Sequence, residues 1–239
     1  MQAVERIFSV LQLLDDAERP MGLVEMQRQL GYPESSMAAM LSALTAAGYL
    51  RHERSTRTYA PTIRLAHLAG WVTSRAAPIP AIDQAMAEIR QRTGETVGLG
   101  YRNDIRMQYL RFVDGTHPPT HGVKEGTTRL LCRSGLGWAL MSFLSRRAID
   151  SIVRRTNRSV AAEDMIDAES INQVVEQCRR AGYVFAQHTV RVGYGVIAAP
   201  LFSQQEQYAV GVHAPVPTLA EREAEISGVL RDVLARLVV

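Results

Sequence analysis

Between Val4 and Ala60 the apolar residues fall into three short helical periods followed by two extended pieces, and that order admits few folds. Val4, Ile7, Phe8, Leu11 and Leu14 keep the i, i+3, i+4, i+7 spacing of an amphipathic helix that ends near Glu18-Arg19-Pro20. Gly22 opens a second helix with Leu23, Met26 and Leu30 on one face, and Gly31 closes it. Pro33-Glu34-Ser35-Ser36 starts a third, with Met37, Met40, Leu41 and Leu44 as its buried stripe and Ser35, Ser36, Ala38, Ala39 and Ser42 turned away; Gly48 ends it. Residues 49–52 and 58–60 then read as strands around the polar turn 53–57. Three helices and a hairpin make a winged helix-turn-helix.

Charge supports this reading by its placement. The net charge of +3 is modest, but from Arg51 to Arg75 five arginines (51, 54, 57, 64, 75) face a single acid, Glu53. Three of them, Arg51, Arg54 and Arg57, lie in seven residues at the expected wing, where they suit phosphate contact or minor-groove insertion better than a solvated turn. Gln27 and Arg28 on the second helix are weaker candidates of the same kind. Ser35 and Ser36 read in isolation as helix caps; ahead of a wing, Ser36 reads as a contact from the recognition helix, whose N-terminal residues enter the major groove.

Residues 63–76 read as a further helix, and Pro78 and Pro80 break the chain after it. The expected domains are therefore a winged helix-turn-helix over 1–61, a linker and dimerisation helix over 62–77, and a second domain over 78–239. In the latter a helix (79–93), strands near 95–102 and 105–114 joined at Asn103-Asp104, and a strand near 120–125 come first. Helices near 134–144, 146–155 and 166–181, strands at 183–189, 195–202 and 208–214, and a last helix over 219–237 follow. Strands and helices in blocks favour an α+β domain with an antiparallel sheet.

Other classes are excluded on simple grounds. No run approaches the ~18 apolar residues of a membrane span, the N-terminus lacks the order of a secretion signal, and hydrophobic and charged fractions of 46% and 21% are ordinary. A soluble cytoplasmic protein without cofactor is expected. Cys132 and Cys178 belong to no CxxC pair and to no recognisable catalytic context, so no enzyme is expected. His117 and His121 share a loop with Pro118 and Pro119, which argues against the helix an i, i+4 metal pair needs, and no metal site is expected. Gly135-Leu136-Gly137 and Gly193-Tyr194-Gly195 lack dinucleotide-loop spacing; the first opens a helix, whose free N–H groups suit a carboxylate.

With both halves laid out, the chain resembles the IclR family of transcriptional regulators along nearly its whole length. The resemblance rests on the AVERIFSVLQLL opening, the GLVEMQRQLGYPESSMAAMLSALTAAGYL helix pair and Arg57-Thr58-Tyr59. It continues in Ser134-Gly135-Leu136-Gly137-Trp138-Ala139, Ala181-Gly182-Tyr183 and Ile197-Ala198-Ala199-Pro200-Leu201-Phe202. It implies a winged-helix DNA-binding domain, a dimerising linker helix built on Ile63, Leu65, Leu68, Trp71 and Val72, and a GAF-like effector domain whose antiparallel sheet is flanked by helices. It also implies a homodimer or tetramer on a double-stranded operator. Matching the motifs places Ser134, Gly135, Leu136, Gln187, Val196, Gly211 and His213 around an effector pocket, and Ser35, Ser36 and Ala39 on the DNA-reading face. Ala39 stands where the family usually has arginine, Gln187 and Thr189 where it has acids, and Val196 where it has cysteine. Operator and ligand identity therefore do not transfer, and the apolar wall of Val196 and Leu136 points to a small carboxylate with an aromatic or aliphatic body.

Overall fold

The computed structural model describes residues 2–68, 79–116, 123–189, 191–203 and 205–237. The chain forms two compact units, Met1–Ala76 and Ala77–Val239.

The first unit contains α1 (Gln2–Ala17), β1 (Met21–Gly22), α2 (Leu23–Leu30), α3 (Glu34–Ala46), β2 (Leu50–Glu53) and β3 (Thr58–Pro61), then a helical segment α4 from 63 to 68. Val10, Leu14, Met21, Met26, Met37, Leu41, Leu44 and Leu50 form its core. Two glycines in the left-handed region end the helices of the motif: Gly31 after α2 (φ 69°) and Gly48 after α3 (φ 77°), where few other residues sit without strain. Two expectations need correction. A two-residue strand, β1, adds to β3 and makes the sheet three-stranded, in the order β1-β3-β2; two residues carry no period to read. In α1, Val4 and Phe8 are 59% and 65% exposed while Val10 is buried. At 100° per residue Val10 and Leu14 share the face turned to α2 and α3, and the Val4–Phe8 stripe lies outside it.

The second unit contains α5 (Ile79–Thr93), β4 (Thr96–Asn103), β5 (Arg106–Val113), β6 (Thr128–Leu130), α6 (Gly135–Met141), α7 (Arg146–Asn157) and α8 (Ala168–Ala181). It ends with β7 (Val184–Gln187), β8 (Tyr194–Ser203), β9 (Glu206–Pro215), α9 (Val216–Glu221) and α10 (Glu223–Ala235). The six strands pair antiparallel in the order β6-β5-β4-β9-β8-β7. Alternation along the strands gives each face its own core. Val97, Leu99, Ile197, Val210 and Val212 pack under α5, α9 and α10. Met107, Tyr109, Val196, Ala198 and Ala209 pack under α6, α7 and α8. A sheet buried on both sides and flanked by helices is the GAF-like α+β arrangement.

Here too the sequence reading is corrected twice. The strand expected near 120–125 lies at Thr128–Leu130, and residues 123–125 are not extended into a strand; 120–122 fall outside the described residues. The single helix expected over 219–237 is two helices that break at Arg222 (φ −108°, ψ 18°). The Arg222 guanidinium donates to the Thr93 carbonyl at 3.0 Å and pairs with Glu95 at 3.3 Å, which holds the break against the end of α5. Periodicity alone cannot register a bend that a distant partner fixes.

Candidate functional site

In the first unit, α2, the turn after Gly31 and α3 form a helix-turn-helix. The N-cap of α3 is Pro33, with no side-chain cap bond, so neither Ser35 nor Ser36 serves as the cap. Ser35, Ala38, Ala39 and Ser42 are exposed and Ser36 is half-buried, while Met37, Leu41 and Leu44 hold the helix to its core. The outward face is thus paved with small residues. Gln27 and Arg28 of α2 border a shallow groove with Val24, Gly31 and Tyr32.

The wing is ordered by its own side chains. Glu53 accepts from the Ser55 hydroxyl at 2.7 Å and the Ser55 amide at 3.2 Å. Those bonds hold its carboxyl below the usual carboxylate range, the hydroxyl contributing most. His52 stacks on Tyr59 with ring centroids 4.4 Å apart. Arg51, Arg54 and Arg57 are all exposed, and among the described residues none of the three joins an ion pair. Every Asp and Glu of the chain is described, so the wing carries a basic edge that no ion pair neutralises, Glu53 feeling the Arg51 charge only at a distance.

Directly after the wing, α4 is tied to the end of α3. The Thr62 hydroxyl donates to the Gly48 carbonyl at 2.6 Å and accepts from the Arg64 amide at 3.3 Å, and the Thr62 amide bonds the Tyr49 carbonyl at 3.0 Å. The Arg64 guanidinium lies 5.2 Å from the Tyr49 ring centroid. Ile63 and Leu68 of α4 are 72% and 55% exposed; Trp71 and Val72 lie outside the described residues.

In the second unit α6 presses on the sheet. A Cβ on Gly135 would lie 2.5 Å from Val196 Cγ1 and 2.6 Å from Ala186 Cβ, and one on Gly211 would lie 2.7 Å from both Leu136 Cδ1 and Val196 Cγ2. These five positions therefore form a packed seam. Ser134 is buried and caps α6 by accepting from the Gly137 amide at 3.5 Å.

Beside that seam lies a pocket lined by Tyr109, Val123, Thr189, Arg191, Tyr194, Gly195, Val196 and His213. Its enclosed volume is about 20 Å³, room for one water-sized sphere. Tyr109, Phe112 and His213 cluster around it, with centroids 4.8 to 5.9 Å apart, and the Arg191 guanidinium sits 5.1 Å from the Tyr194 ring centroid. The Tyr109 phenol is pushed up to about 12, first by burial, with the Arg129 charge and a Ser134 hydrogen bond acting against it. Of the seven residues expected here, Val196 and His213 line the pocket. Ser134, Gly135, Leu136 and Gly211 lie in the seam next to it, and Gln187 is exposed at the end of β7. Thr189, Arg191 and Tyr194 are neighbours in the turn after β7 and the start of β8, while Tyr109 comes from β5, and no motif in the sequence links it to them.

Neither cysteine is activated as a nucleophile. Burial raises both thiols, Cys178 to about 11, and reactive thiols need the opposite shift. Among the described residues no cluster of His, Cys, Asp and Glu suits a metal, and His117 and His121 lie outside them. No described helix is long and apolar enough to cross a membrane.

Comparison with known proteins assigns both units. The profile of the IclR helix-turn-helix domain matches residues 3–54, and that of the bacterial transcriptional regulator IclR C-terminal domain matches residues 72–237. The regulator KdgR of Escherichia coli is 23% identical over 95% of this chain and 86% of its own length. The effector domain of an IclR regulator from Acinetobacter is 28% identical with a TM-score of 0.60, covering 65% of this chain and 92% of that one. Thermotoga maritima IclR shares the fold, with a TM-score of 0.72 and 17% identity over 99% of this chain and 97% of its own. An IclR homologue from Microbacterium hydrocarbonoxydans, solved with 4-hydroxybenzoate, has a TM-score of 0.63 at 17% identity, over 98% and 99% of the two chains. With a DNA-binding helix-turn-helix in one unit and an effector domain in the other, the chain belongs to the IclR family of bacterial transcriptional regulators.

Proposed function

We propose that the chain regulates transcription as a homodimer, or a pair of dimers, which reads a pseudo-palindromic operator and responds to a small carboxylate-bearing metabolite. The exposed basic edge of the wing, free of ion pairs among the described residues, carries the DNA half of this reading. Arg51, Arg54 and Arg57 engage phosphates and the minor groove, Ser36 with Ser35 and Ala39 faces the bases, and Gln27 and Arg28 support from α2. Small side chains on α3 let the helix approach the groove floor closely but offer few bidentate contacts, so affinity comes mainly from phosphates and specificity from a short list of groups.

For the effector half, the pocket on the α6 side of the sheet is the site, with Val196 and His213 in its wall and Ser134, Gly135, Leu136 and Gly211 as the packed seam that fixes its shape. Aromatic walls and nearby cationic groups suit an aromatic or aliphatic monocarboxylate, and a fold neighbour's complex with 4-hydroxybenzoate is in keeping with that class. Since the enclosed space is about 20 Å³, a ring enters only if the rim of Val123, Thr189 and Arg191 gives way. Binding then selects an opened arrangement, and that differential is what can shift operator affinity. The test is fluorescence anisotropy with DNA from upstream of the protein's own gene, titrated with and without aromatic and aliphatic acids. No shift in operator affinity with any acid, alongside intact DNA binding, would refute the effector half alone.

A further inference from the structure

Arg129 stands in β6 directly opposite Met107 of β5 in an antiparallel pair. Opposed residues share a sheet face, and Met107 is fully buried on the face that α6 covers. The half-buried Arg129 side chain is thereby placed on the α6 side of the sheet. Its Nε is buried and has no hydrogen-bond partner among the described residues. All acidic residues are described, and none of the ion pairs includes Arg129. A buried guanidinium N–H without an acceptor is costly, so its presence calls for an explanation. Two residues along β5 on the same face is Tyr109, 1% exposed, whose phenol feels the Arg129 charge and whose ring forms a wall of the pocket. Because burial keeps that phenol protonated well above neutral pH, it remains a donor.

We propose, on the reading that this pocket takes the effector, that Arg129 and Tyr109 are its specificity-determining anion receptor. The Arg129 Nε–H and the Tyr109 O–H donate to the two oxygens of a ligand carboxylate. The ligand body lies against the Tyr109 ring, Val196, Tyr194 and His213. The acceptor that the buried Nε–H lacks is then supplied by the ligand, so a neutral analogue of the same shape is rejected.

The test is calorimetry on the full-length protein with benzoate, 4-hydroxybenzoate, phenylacetate and hexanoate, each against its carboxamide. At least one acid is expected to bind roughly tenfold or more tightly than its amide, as a charge-assisted pair requires. Arg129→Met, similar in volume, should bring that acid down to the level of the amide, leave amide binding within about twofold, and keep the wild-type circular dichroism; Arg129→Lys should recover part of the preference. If Arg129→Met does not fold, Tyr109→Phe takes its place, with an expected loss of several-fold for the acid alone. An acid preference that survives the variant overturns the assignment, as does the failure of all four acids to bind. Thr189→Trp, which narrows the pocket from a half-buried turn position and should keep the wild-type circular dichroism, separates the two levels. Acid binding lost in Thr189→Trp but unchanged in Arg129→Met refutes only the receptor, whereas binding that survives Thr189→Trp refutes the pocket.

Discussion

Gly137→Ala tests how α6 is held, because two effects of opposite sign can both be sized. Alanine in a helix interior is worth up to about 1 kcal/mol over glycine. Against this, a Cβ at 137 would lie 2.7 Å from Leu131 Cα and 2.8 Å from its carbonyl carbon, and nearer still to its oxygen. All three are backbone atoms of a turn held in place by the bond from Trp138 Nε1 to the Cys132 carbonyl at 2.9 Å, so no rotamer change relieves the contact. Overpacking ordinarily costs ~1–3 kcal/mol, and a contact with fixed backbone belongs at or above the top of that range. The net expectation is a loss of about 2 kcal/mol or more, roughly 4–8 °C in Tm for a unit of this size. Gly228 in α10 is the control: a Cβ there meets nothing within 4 Å, so Gly228→Ala should gain about 0.5–1 kcal/mol. Thermal and urea unfolding followed by circular dichroism would measure both. A Gly137→Ala protein melting within a degree of wild type would refute the argument that the Gly-Leu-Gly sequence serves close packing.

Arg54→Ala and Arg57→Ala should each weaken binding to all DNA sequences and reduce the salt slope by roughly one unit per lost phosphate contact, read by anisotropy across a salt series. Arg57 also has a left-handed backbone, φ 55°, so Arg57→Gly should lose the same affinity while leaving thermal stability equal or slightly higher; equal losses of both would point to a structural role. Tyr109 is raised to about 12 by burial, so its neutral form favours the folded state. That contribution is complete below pH 10 and fades as the pH climbs from about 10 to 12; ultraviolet titration of native against unfolded protein should show late phenols, with Tyr183 and Tyr208 also raised, and Tyr109→Phe should remove one of them. Light scattering at micromolar concentration should give a dimer or tetramer; a monomer that still bound DNA tightly would sink the α4 dimer.

Local signals made the first unit readable almost throughout. The stripe of Met37, Leu41 and Leu44, the glycine stops at 31 and 48 and the basic turn at 54–57 act over a few residues, so they can be read from neighbours in the chain. In the second unit the strands were legible by alternation, because each face of the sheet is buried by a different set of helices. The pocket was much less so. Val196 and His213 face each other across β8 and β9 and were found through motif matching. Tyr109 of β5 and Arg191, before β8, come together in the pocket wall only through the strand order β6-β5-β4-β9-β8-β7, a long-range outcome with no short-range trace. Gly135 was expected to present its N–H to a ligand; its surroundings explain the residue equally by the absence of room for a side chain.

The bonds from Thr62 to Gly48 and Tyr49, and the Arg64–Tyr49 stack, leave no slack where α3 ends and α4 begins. A joint of that kind behaves as a welded bracket: turning one arm turns the other through the same angle. In a dimer joined through α4, the distance between the two recognition helices would then follow from the angle between the two linker helices, with no separate adjustment available to the reading heads. DNA sets a narrow tolerance on that distance, one helical turn of ~34–36 Å between half-sites. A small rotation of the linker pair would suffice to put both helices out of register at once, and release from the operator would be all or none.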